Sequence, residues 1–477
     1  MNTPPGSPPS CAIAAPKGRR LPWTRLIALI ASVLLAGAWT AHAASSSSGQ
    51  NWPQWRGPLA NGVAPQANPP LAWSETNNVK WKVRIPGNGS ATPLVWENQV
   101  FVQTAIPTGK KAEAQKSDAA ADAPAQNQPG RRGGGGFGGG QKPDEVYQFV
   151  ILCLDRRTGQ VLWRQTAREE VPHEGYRQNE GSFASTSGVT DGKHVFAYFG
   201  SRGLYCYDMA GKLQWSQDFG DMRIALGFGE GSSPALYRDT IIVNWDHEGD
   251  DFIVALNAET GKELWRQARD ERTSWSTPLV LEHAGRAQVV TSATSRIRSY
   301  DIATGNLLWE CAGLTRNVIP SPVADRDMVY CMSGFQGNAL LAIRLGGTGD
   351  LTDSEAIVWR HNKNTPYVPS PLLYGDRLYF LSSNNGVLSC FDARSGRALI
   401  DAERLEALQG VYASPVGAGG RVYLVGRNGA TVVLRQSEKL ETLATNRLDE
   451  RFDASAAVAG KELFLRGHDY LYCIAEQ

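Results

Sequence analysis

Hydrophobic and polar residues alternate in short runs through most of the 477-residue chain, and these runs recur at a regular interval. Typical examples are residues 377–381 (RLYFL) and 387–391 (VLSCF), which are separated by a short polar segment. Alternation with a period of two predicts β-strands that have one buried face. Successive strands joined by short turns predict an antiparallel meander.

A Ser/Ala-x-Pro type signal precedes these strands and divides the chain into repeats. It recurs at Pro93, Pro234, Pro278, Pro322, Pro371 and Pro415, with degenerate copies at Thr186 and Ala456. The intervals between neighbouring copies are 93, 48, 44, 44, 49, 44 and 41 residues. A repeat of about 40 to 50 residues with short strands is typical of propeller blades. Eight copies predict eight blades, and the long first interval indicates one blade with an insertion.

Each repeat ends with an Asp/Asn-x-x-Thr/Ser-Gly turn followed by an apolar strand that carries a tryptophan. Clear copies are residues 155–163, 257–265 and 301–309. The acidic or amide side chain can accept hydrogen bonds from the following amides, while glycine adopts a positive φ without a steric clash. The tryptophan is therefore expected to pack between its own blade and the next one.

The last repeat begins near Asp453 and reaches Gln477 before a fourth strand can form. Residues 79–83 (VKWKV) have the outer-strand pattern, with Trp81 in the tryptophan position. Pairing of the N- and C-terminal segments would complete the eighth blade and remove an exposed sheet edge. We therefore predict an all-β fold, an eight-bladed β-propeller of four-stranded antiparallel blades over residues 79–477. Residues 44–78 form an extended segment before it.

The first 43 residues have the pattern of a secretory signal. Arg19, Arg20 and Arg25 precede the apolar run of residues 26–39, and small residues follow at 41–43 (AHA). This pattern predicts a signal peptide over residues 1–43 and a periplasmic or secreted protein. The alternative is that the segment stays as a membrane anchor, although the run is shorter than the roughly 20 residues that a spanning helix needs.

Residues 106–145 are rich in Ala, Gln and Gly and lie in the loop between the second and third strands of blade one. Such a composition cannot bury enough apolar surface to fold alone, so we predict a disordered low-complexity insertion. It could cover the loop face, tether a partner through its basic residues, or be a neutral insertion.

The charge of the exported chain limits the classes of partner that we expect. Four of the 48 basic residues and none of the 47 acidic residues lie in the predicted signal, so the exported chain has a small negative charge and no feature that favours nucleic acid.

Six cysteines remain, and four of them occupy equivalent positions in different repeats. Equivalent positions of different blades are far apart, so free, buried thiols are expected rather than disulfides.

The connections between blades and the hairpins between the second and third strands emerge on one face of a propeller, which we call the loop face. These loops hold most of the chemically reactive side chains, so binding is predicted there. The predicted ligand-binding residues are Arg177, Arg202, Arg223, Trp275, Arg296, Asn317, Asn384 and Arg427. Arginines from several blades suit an anionic ligand or acidic peptide, but salt bridges between blades would use the same residues.

Residues 246–251 (DHEGDD) place several carboxylates in one hairpin. Asp246, Glu248 and Asp250 are the candidate ligands for Ca²⁺, which prefers oxygen ligands. The alternative is a solvated turn stabilised by salt bridges. No catalytic residue is assigned, because no Ser-His-Asp or Cys-His arrangement can be recognised from the spacing.

Four motifs carry a resemblance to a known family: residues 52–58 (WPQWRGP), 183–187 (FASTS), 227–234 (GFGEGSSP) and 244–250 (NWDHEGD). With these motifs the chain resembles the exported PQQ-binding-like β-propeller proteins over residues 50–477. Its Asp-x-x-Thr-Gly-x-x-x-Trp units are similar to those of quinoprotein dehydrogenases and of BamB-type scaffolds. The resemblance implies the propeller fold, but a fold does not fix a function.

Two functions follow from the resemblance. The resemblance to quinoprotein dehydrogenases implies a disulfide between adjacent cysteines and a Cys-x-x-Cys-His haem site. The chain has neither of these two redox features. We therefore expect a non-catalytic binding or scaffold protein for a protein, peptide or anionic ligand on the loop face. The alternative is an oxidoreductase that uses PQQ with Ca²⁺.

Overall fold

The structure is a computed structural model that describes residues 49–111 and 140–476. The predicted signal peptide and the centre of the insertion, residues 112–139, lie outside the described residues. All described residues belong to one compact unit, Ser48–Gln477. Within the described ranges, no helix is long and apolar enough to span a membrane.

Eight sheets form the eight predicted blades, and the prediction of the fold is confirmed. The strands β1 (Val63–Ala64) and β2 (Val79–Arg84) precede blade one. Blade one contains β3 (Leu94–Trp96), β4 (Gln99–Lys111), β5 (Glu145–Asp155) and β6 (Val161–Glu170). Blade two contains β7 (Val189–Thr190), β8 (His194–Tyr198), β9 (Leu204–Asp208) and β10 (Leu213–Gln217). Blade three contains β11 (Ala235–Tyr237), β12 (Thr240–Trp245), β13 (Phe252–Asn257) and β14 (Glu263–Ala268), and blade four contains β15 (Leu279–His283), β16 (Arg286–Thr291), β17 (Ile297–Asp301) and β18 (Leu307–Cys311).

Blades five to eight follow the same order. Blade five contains β19 (Val323–Asp325), β20 (Met328–Ser333), β21 (Ala339–Arg344) and, after the short β22 (Gly349–Asp350), β23 (Ile357–His361). Blade six contains β24 (Leu372–Tyr374), β25 (Arg377–Leu381), β26 (Val387–Asp392) and β27 (Ala398–Arg404). Blade seven contains β28 (Val416–Ala418), β29 (Arg421–Val425), β30 (Ala430–Arg435) and β31 (Thr442–Arg447), and blade eight contains β32 (Ala457–Ala459), β33 (Glu462–Arg466) and β34 (Tyr470–Ile474). Two 3-10 helices, Gly200–Arg202 and Ala225–Gly227, lie in the loops of blades two and three.

The ring closes by the predicted pairing of both ends of the propeller. Strand β2 pairs antiparallel with β34, and Trp81 lies opposite Cys473. Blade eight therefore has the order β2-β34-β33-β32, in which the outermost strand comes from the N-terminal side of the chain.

The blade-closing tryptophans lock neighbouring blades together. The indole N–H of Trp215 donates to the carbonyl of Ala258 at 3.0 Å, in the Asp/Asn-x-x-Thr-Gly turn of the next blade. Its ring packs on Gly261, which has a φ of 69°, and a Cβ at this glycine would lie 2.6 Å from the ring. Equivalent bonds of 2.8 to 3.1 Å are made by the other regular copies, Trp81, Trp163, Trp265 and Trp359. The predicted place of these tryptophans is confirmed.

Trp309 differs because blade five lacks the regular turn. Its indole N–H donates to Gln288 of its own blade at 3.1 Å. Strand β22, from the replaced turn, pairs in parallel with β18 beside this tryptophan. The insertion in blade five therefore covers the outer edge of blade four.

A ring of hydroxyl side chains surrounds the axis and explains the recurring Ser/Thr-Pro signal. Its members are Thr92, Ser187, Ser233, Thr277, Ser321, Ser370, Ser414 and Ser455. The backbone N–H of each of the first seven donates to the hydroxyl of the next at 2.8 to 3.0 Å. The Thr92 hydroxyl completes the circle by donating to the Ser455 carbonyl at 3.0 Å. Each blade thus satisfies a buried polar group of its neighbour.

The segment before β2 enters the axis of the ring. Trp52 pairs with Val95 of blade one, and β1 pairs in parallel with β28 of blade seven. Arg56 is buried, and its guanidinium donates to the carbonyls of Pro371 at 2.8 Å and Pro415 at 3.1 Å. Burial lowers the pKa of Arg56 to about 9. This segment ties blades one, six and seven together from inside the ring.

The insertion of blade one begins later and ends earlier than its composition indicates. Strands β4 and β5 continue to pair through Pro107 opposite Tyr147 and reach Lys111 opposite Glu145. Residues 106–111 and 145 are therefore part of the sheet, because backbone pairing does not require apolar side chains at a hairpin end. The interior of the insertion, residues 112–139, is outside the described residues.

The six cysteines of the described residues are free and buried, as predicted. Burial raises the pKa of Cys153, Cys206, Cys331 and Cys390 to about 12. Thiols with such high pKa values are poor nucleophiles, so these residues act as small apolar side chains.

Candidate functional site

A central pocket opens on the loop face, above the hydroxyl ring, and has a volume of about 180 Å³. One residue of each blade contributes to its wall, always two positions before the hydroxyl of the ring. These residues are Ser90, Ser185, Gly231, Trp275, Ile319, Val368, Tyr412 and Asp453. Because the hydroxyl ring fixes the backbone of every blade at this depth, the eight residues are held at one level around the axis.

Aromatic rings form much of the wall and the floor. Trp275 is almost buried, and its indole N–H donates to the Gly229 carbonyl at 2.6 Å. Phe228 lies beside it, with 6.4 Å between the ring centroids. Trp55, from the segment that enters the axis, lies at the floor and donates from its indole to the Ser455 hydroxyl at 3.4 Å. With Tyr412 on another wall, the pocket offers several flat apolar surfaces.

The main charged groups in the lining are paired within the protein. Arg177 forms an ion pair with Glu180 at 3.0 Å. The Asp453 carboxylate contacts Arg427 at 2.5 Å and His468 at 2.9 Å. These pairs therefore present largely neutralised charges to a ligand in the pocket.

Glu230 separates the central pocket from a smaller cavity behind it. Its carboxylate accepts hydrogen bonds from the Ser201 backbone N–H at 2.7 Å and from the Ser201 hydroxyl at 2.5 Å. Burial raises the pKa of Glu230 above its ordinary value. The hydrogen bonds from Ser201 act in the opposite direction, because they favour the charged form of the carboxyl group.

The smaller cavity contains a buried ionic network. Arg202 contacts the carboxylates of Glu170 and Asp221 and lies 2.9 Å from Nδ1 of His173. Nε2 of His173 lies 2.6 Å from the Met222 carbonyl. Arg202 therefore joins the segment that follows β6 to the segment that follows β10.

Of the predicted ligand-binding residues, Trp275 and Arg177 line the central pocket. Arg427 lies behind Asp453, and its guanidinium stacks 4.0 Å from the centroid of the Tyr412 ring. Arg296 lies away from the pocket and pairs with Asp350 at 2.8 Å.

The remaining predicted residues have positions outside the lining. Arg202 is buried in the network of the smaller cavity, and Arg223 is exposed on the loop of blade three. Asn317 adopts a φ of 52° in a turn. Asn384 accepts a hydrogen bond from the Val368 backbone N–H at 3.0 Å. The structure thus does not bring the predicted arginines together, because most of them have carboxylate partners in their own or a neighbouring blade.

Sequence reasoning missed most of the pocket wall. Ile319, Val368 and Tyr412 are apolar or aromatic, so a search for reactive loop residues passes over them. A signal for them exists, since each stands two positions before the hydroxyl of a Ser-Pro signal. The sequence indicated Trp55 only as part of the motif at residues 52–58. Its position at the pocket floor depends on the path of the N-terminal segment.

The three candidate Ca²⁺ ligands differ in their partners and in their exposure. The Asp246 side chain is buried and pairs with Arg269 at 2.6 Å. Glu248 accepts hydrogen bonds from Thr273, and Asp250 is exposed. The described ranges contain no group of three or more His, Cys, Asp or Glu side chains that could hold a metal ion. One of the three candidate ligands, Asp246, is thus already paired with Arg269, and Ca²⁺ binding at this hairpin stays a prediction.

PQQ does not fit the residues of the central pocket either. PQQ carries three carboxylates, whereas the eight-residue wall contains one charged residue, the acidic Asp453. The arginine in the lining, Arg177, is already paired with Glu180. The cysteines of the described residues are buried one by one in the blades and cannot form a disulfide beside a quinone. We therefore derive no reaction step through this cofactor.

The comparison with protein families identifies the repeat type. The family model described as outer membrane protein assembly factor BamB, which represents PQQ-like repeats, matches residues 148–399 and 249–477. The chain belongs to this family. No curated protein matches the chain.

The solved structures that match the chain share little sequence with it. The designed protein Ika8 is 13% identical to this chain, and the match covers 69% of this chain and 92% of the Ika8 chain, with a TM-score of 0.48. BamB from Moraxella catarrhalis is 13% identical, with coverages of 83% and 98% and a TM-score of 0.37. Quinohemoprotein alcohol dehydrogenase from Comamonas testosteroni is 14% identical, with coverages of 91% and 82% and a TM-score of 0.45.

Proposed function

We propose that the protein is a non-catalytic binding propeller of the cell envelope that docks a protein or peptide partner on its loop face. Membership of a family described by an outer membrane assembly factor supports both the envelope location and a protein partner. The central pocket is the anchoring point, since it is the concave, partly apolar part of a surface otherwise filled by paired charges.

One observation carries this proposal. The ring of eight wall residues combines Trp275, Ile319, Val368 and Tyr412 with small residues and the paired Asp453. Such a wall can bury an uncharged or aromatic group of a partner, but its eight residues include no positive charge for an anionic cofactor. An anionic ligand on the rim is therefore less favoured than an apolar anchor.

A site-specific photocrosslinker tests the proposal. A photoreactive amino acid at Val368 should capture a partner from intact cells, and mass spectrometry identifies it. The matched control places the same group at Leu264, which is exposed on the outer strand β14. We expect one partner to be enriched at Val368 and absent at Leu264, and a Trp275→Ala variant to reduce its capture at least about fivefold, the effect of losing an aromatic anchor.

Titration with PQQ, with and without Ca²⁺, tests the alternative. Saturable binding at micromolar concentration, followed by oxidation of an alcohol in a dye-linked assay, would refute the non-catalytic function. Equal capture from both crosslinker positions would refute docking at the pocket.

A further inference from the structure

The connection between blades one and two crosses the mouth of the central pocket. Residues 171–188 join β6 to β7, and Arg177, Glu180 and Ser182 of this connection line the pocket. The pocket wall opposite them comes from the connections that lead into blades six and seven, through Val368 and Tyr412. The connection therefore passes over the axis rather than staying above its own blades.

The two parts of this connection differ in how firmly they are held. At its base, the rings of Tyr176 and Phe183 pack edge to face with 4.7 Å between centroids, and Tyr147 packs on Phe183 at 4.9 Å. Between these rings, Gln178 and Asn179 are exposed to solvent. A segment with few apolar contacts between two packed ends is suited to local opening.

Two arginines from other blades hold the exposed tip. The guanidinium groups of Arg427 and Arg451 both donate to the backbone carbonyl of Asn179. Asn179 has a φ of 63°, a left-handed conformation that turns its carbonyl towards them. Charge-assisted hydrogen bonds of this kind are stronger than neutral ones.

The same arginines are held by a residue of the pocket wall. Asp453 contacts Arg427 at 2.5 Å and Arg451 at 3.3 Å. Its side chain is 6% exposed, and Asp453 also lines the central pocket. A ligand group that forms a hydrogen bond with Asp453 would compete with the two arginines for its carboxylate.

We propose that residues 177–182 are a strap that closes the mouth of the central pocket, and that Asp453, Arg427 and Arg451 are its latch. A partner group that reaches Asp453 weakens the latch and releases the strap, so occupancy of the pocket opens the mouth further. This role rests on the proposed docking function for its biological meaning, but the strap can be tested without any partner.

Thiol labelling measures how often the mouth opens. Val368 lines the central pocket, so a Val368→Cys thiol reports on entry of N-ethylmaleimide into that pocket. The native cysteines are buried and should give little background. In the Val368→Cys background, Arg451→Gln should raise the labelling rate about tenfold, because one hydrogen bond to a charged group is lost.

Two matched controls separate strap opening from other effects. Arg435→Gln removes an arginine of blade seven that pairs with Glu441 at 2.7 Å away from the strap, so it should leave the rate unchanged. A Ser295→Cys thiol on the exposed loop of blade four should be labelled at the same rate with and without Arg451→Gln.

Trypsin provides a second measurement on the protein without added cysteines. Cleavage after Arg177 should be faster in both Arg451→Gln and Arg427→Gln than in the native protein. If either variant exposes its native cysteines, which indicates unfolding, Arg427→Lys replaces it, because lysine keeps the charge beside Asp453 but donates from a single nitrogen. Unchanged labelling and unchanged cleavage in folded variants would overturn the latch. That result would leave docking at the pocket untouched, whereas failure to capture a partner would leave the strap standing.

Discussion

At the scale of single residues, the same side chains that look reactive in the sequence are mostly structural. Asp246 and Arg269 illustrate this, because both side chains are completely buried and form an ion pair of 2.6 Å between blades three and four. Arg269 also donates to the Tyr300 hydroxyl at 2.7 Å. Removing one member of such a pair leaves an unpaired buried charge, which explains why these residues occur together.

Asp251 makes the stability of this region depend on pH. Its carboxylate accepts hydrogen bonds from the backbone N–H groups of His247 at 3.2 Å and Glu271 at 2.9 Å, and burial raises its pKa to about 7. Since the pKa is higher in the folded than in the unfolded chain, the stabilising contribution is full below about pH 4 and is lost as the pH rises to 7.

We therefore expect Asp251→Asn, which stays neutral, to gain stability relative to the native protein between pH 4 and pH 8, by about 2 kcal/mol after allowance for solvent screening. Denaturant unfolding at several pH values measures the difference. Asp350→Asn should show the opposite trend, because hydrogen bonds from Thr352 and Arg296 lower the pKa of Asp350. A pH-independent difference for Asp251→Asn would show that its carboxylate is not buried as described.

At the scale of the structural element, five of the eight blades are locked to the next one by a tryptophan of the outer strand and a glycine of the next blade's turn. The turn needs glycine for two separate reasons, its positive φ and the ring that packs on it. Gly261 has both, with a φ of 69° and Trp215 in contact, whereas Gly285 has a φ of 77° and no neighbouring atom within 4 Å. The two positions separate backbone strain from packing.

Alanine at these two glycines should therefore have different effects. Gly285→Ala should lower the free energy of unfolding by about 1 kcal/mol, the cost of a left-handed alanine. Gly261→Ala should lower it by about 3 kcal/mol, since the added methyl group also displaces the Trp215 ring. Urea titration measures both variants in parallel. Equal losses would mean that the indole moves aside without cost.

The blades were predictable from the sequence because their determinants are local. The strand pattern, the Asp-x-x-Thr-Gly turn and the tryptophan that follows lie within a few tens of residues of one another, and their repetition predicted the ring. Even the pairing of β2 with β34 followed, since one repeat lacked a fourth strand and residues 79–83 had that pattern.

The axis and the pocket were not predictable in the same way, because their contacts are distant in sequence. Trp55 at the pocket floor donates to the hydroxyl of Ser455, which is 400 residues away in the chain, and no local pattern specifies that contact. The partner of Arg427 lies on the next connection and that of Arg296 on an insertion, so their charges looked available for a ligand. Trp275, a predicted ligand-binding residue, lines the pocket because the repeat places it two positions before the hydroxyl of Thr277.

At the scale of the whole molecule, the ring depends on one blade that is assembled from both ends of the described propeller. Trp81 of β2 is almost buried, and its indole donates to the Arg156 carbonyl of blade one at 2.9 Å. Trp163 makes the equivalent contact for blade one, with 3.1 Å to the Met209 carbonyl, but its blade is continuous in the chain. The two residues have the same chemistry and differ in whether they close the ring.

Trp81→Ala should therefore open the ring, while Trp163→Ala should only loosen it. We expect both variants to lose about 3 to 5 kcal/mol of stability, the usual cost of replacing a buried tryptophan by alanine. Hydrogen exchange of the peptide containing residues 470–474 distinguishes them, since β2 is the partner that protects the outer side of β34. In Trp81→Ala this peptide should exchange at least about 100-fold faster by local opening, because an unlatched terminal strand can leave without unfolding the other blades. In Trp163→Ala its exchange should follow global unfolding alone. If both variants showed the same exchange in residues 470–474, closure by the terminal strand would not be the weak point of the propeller.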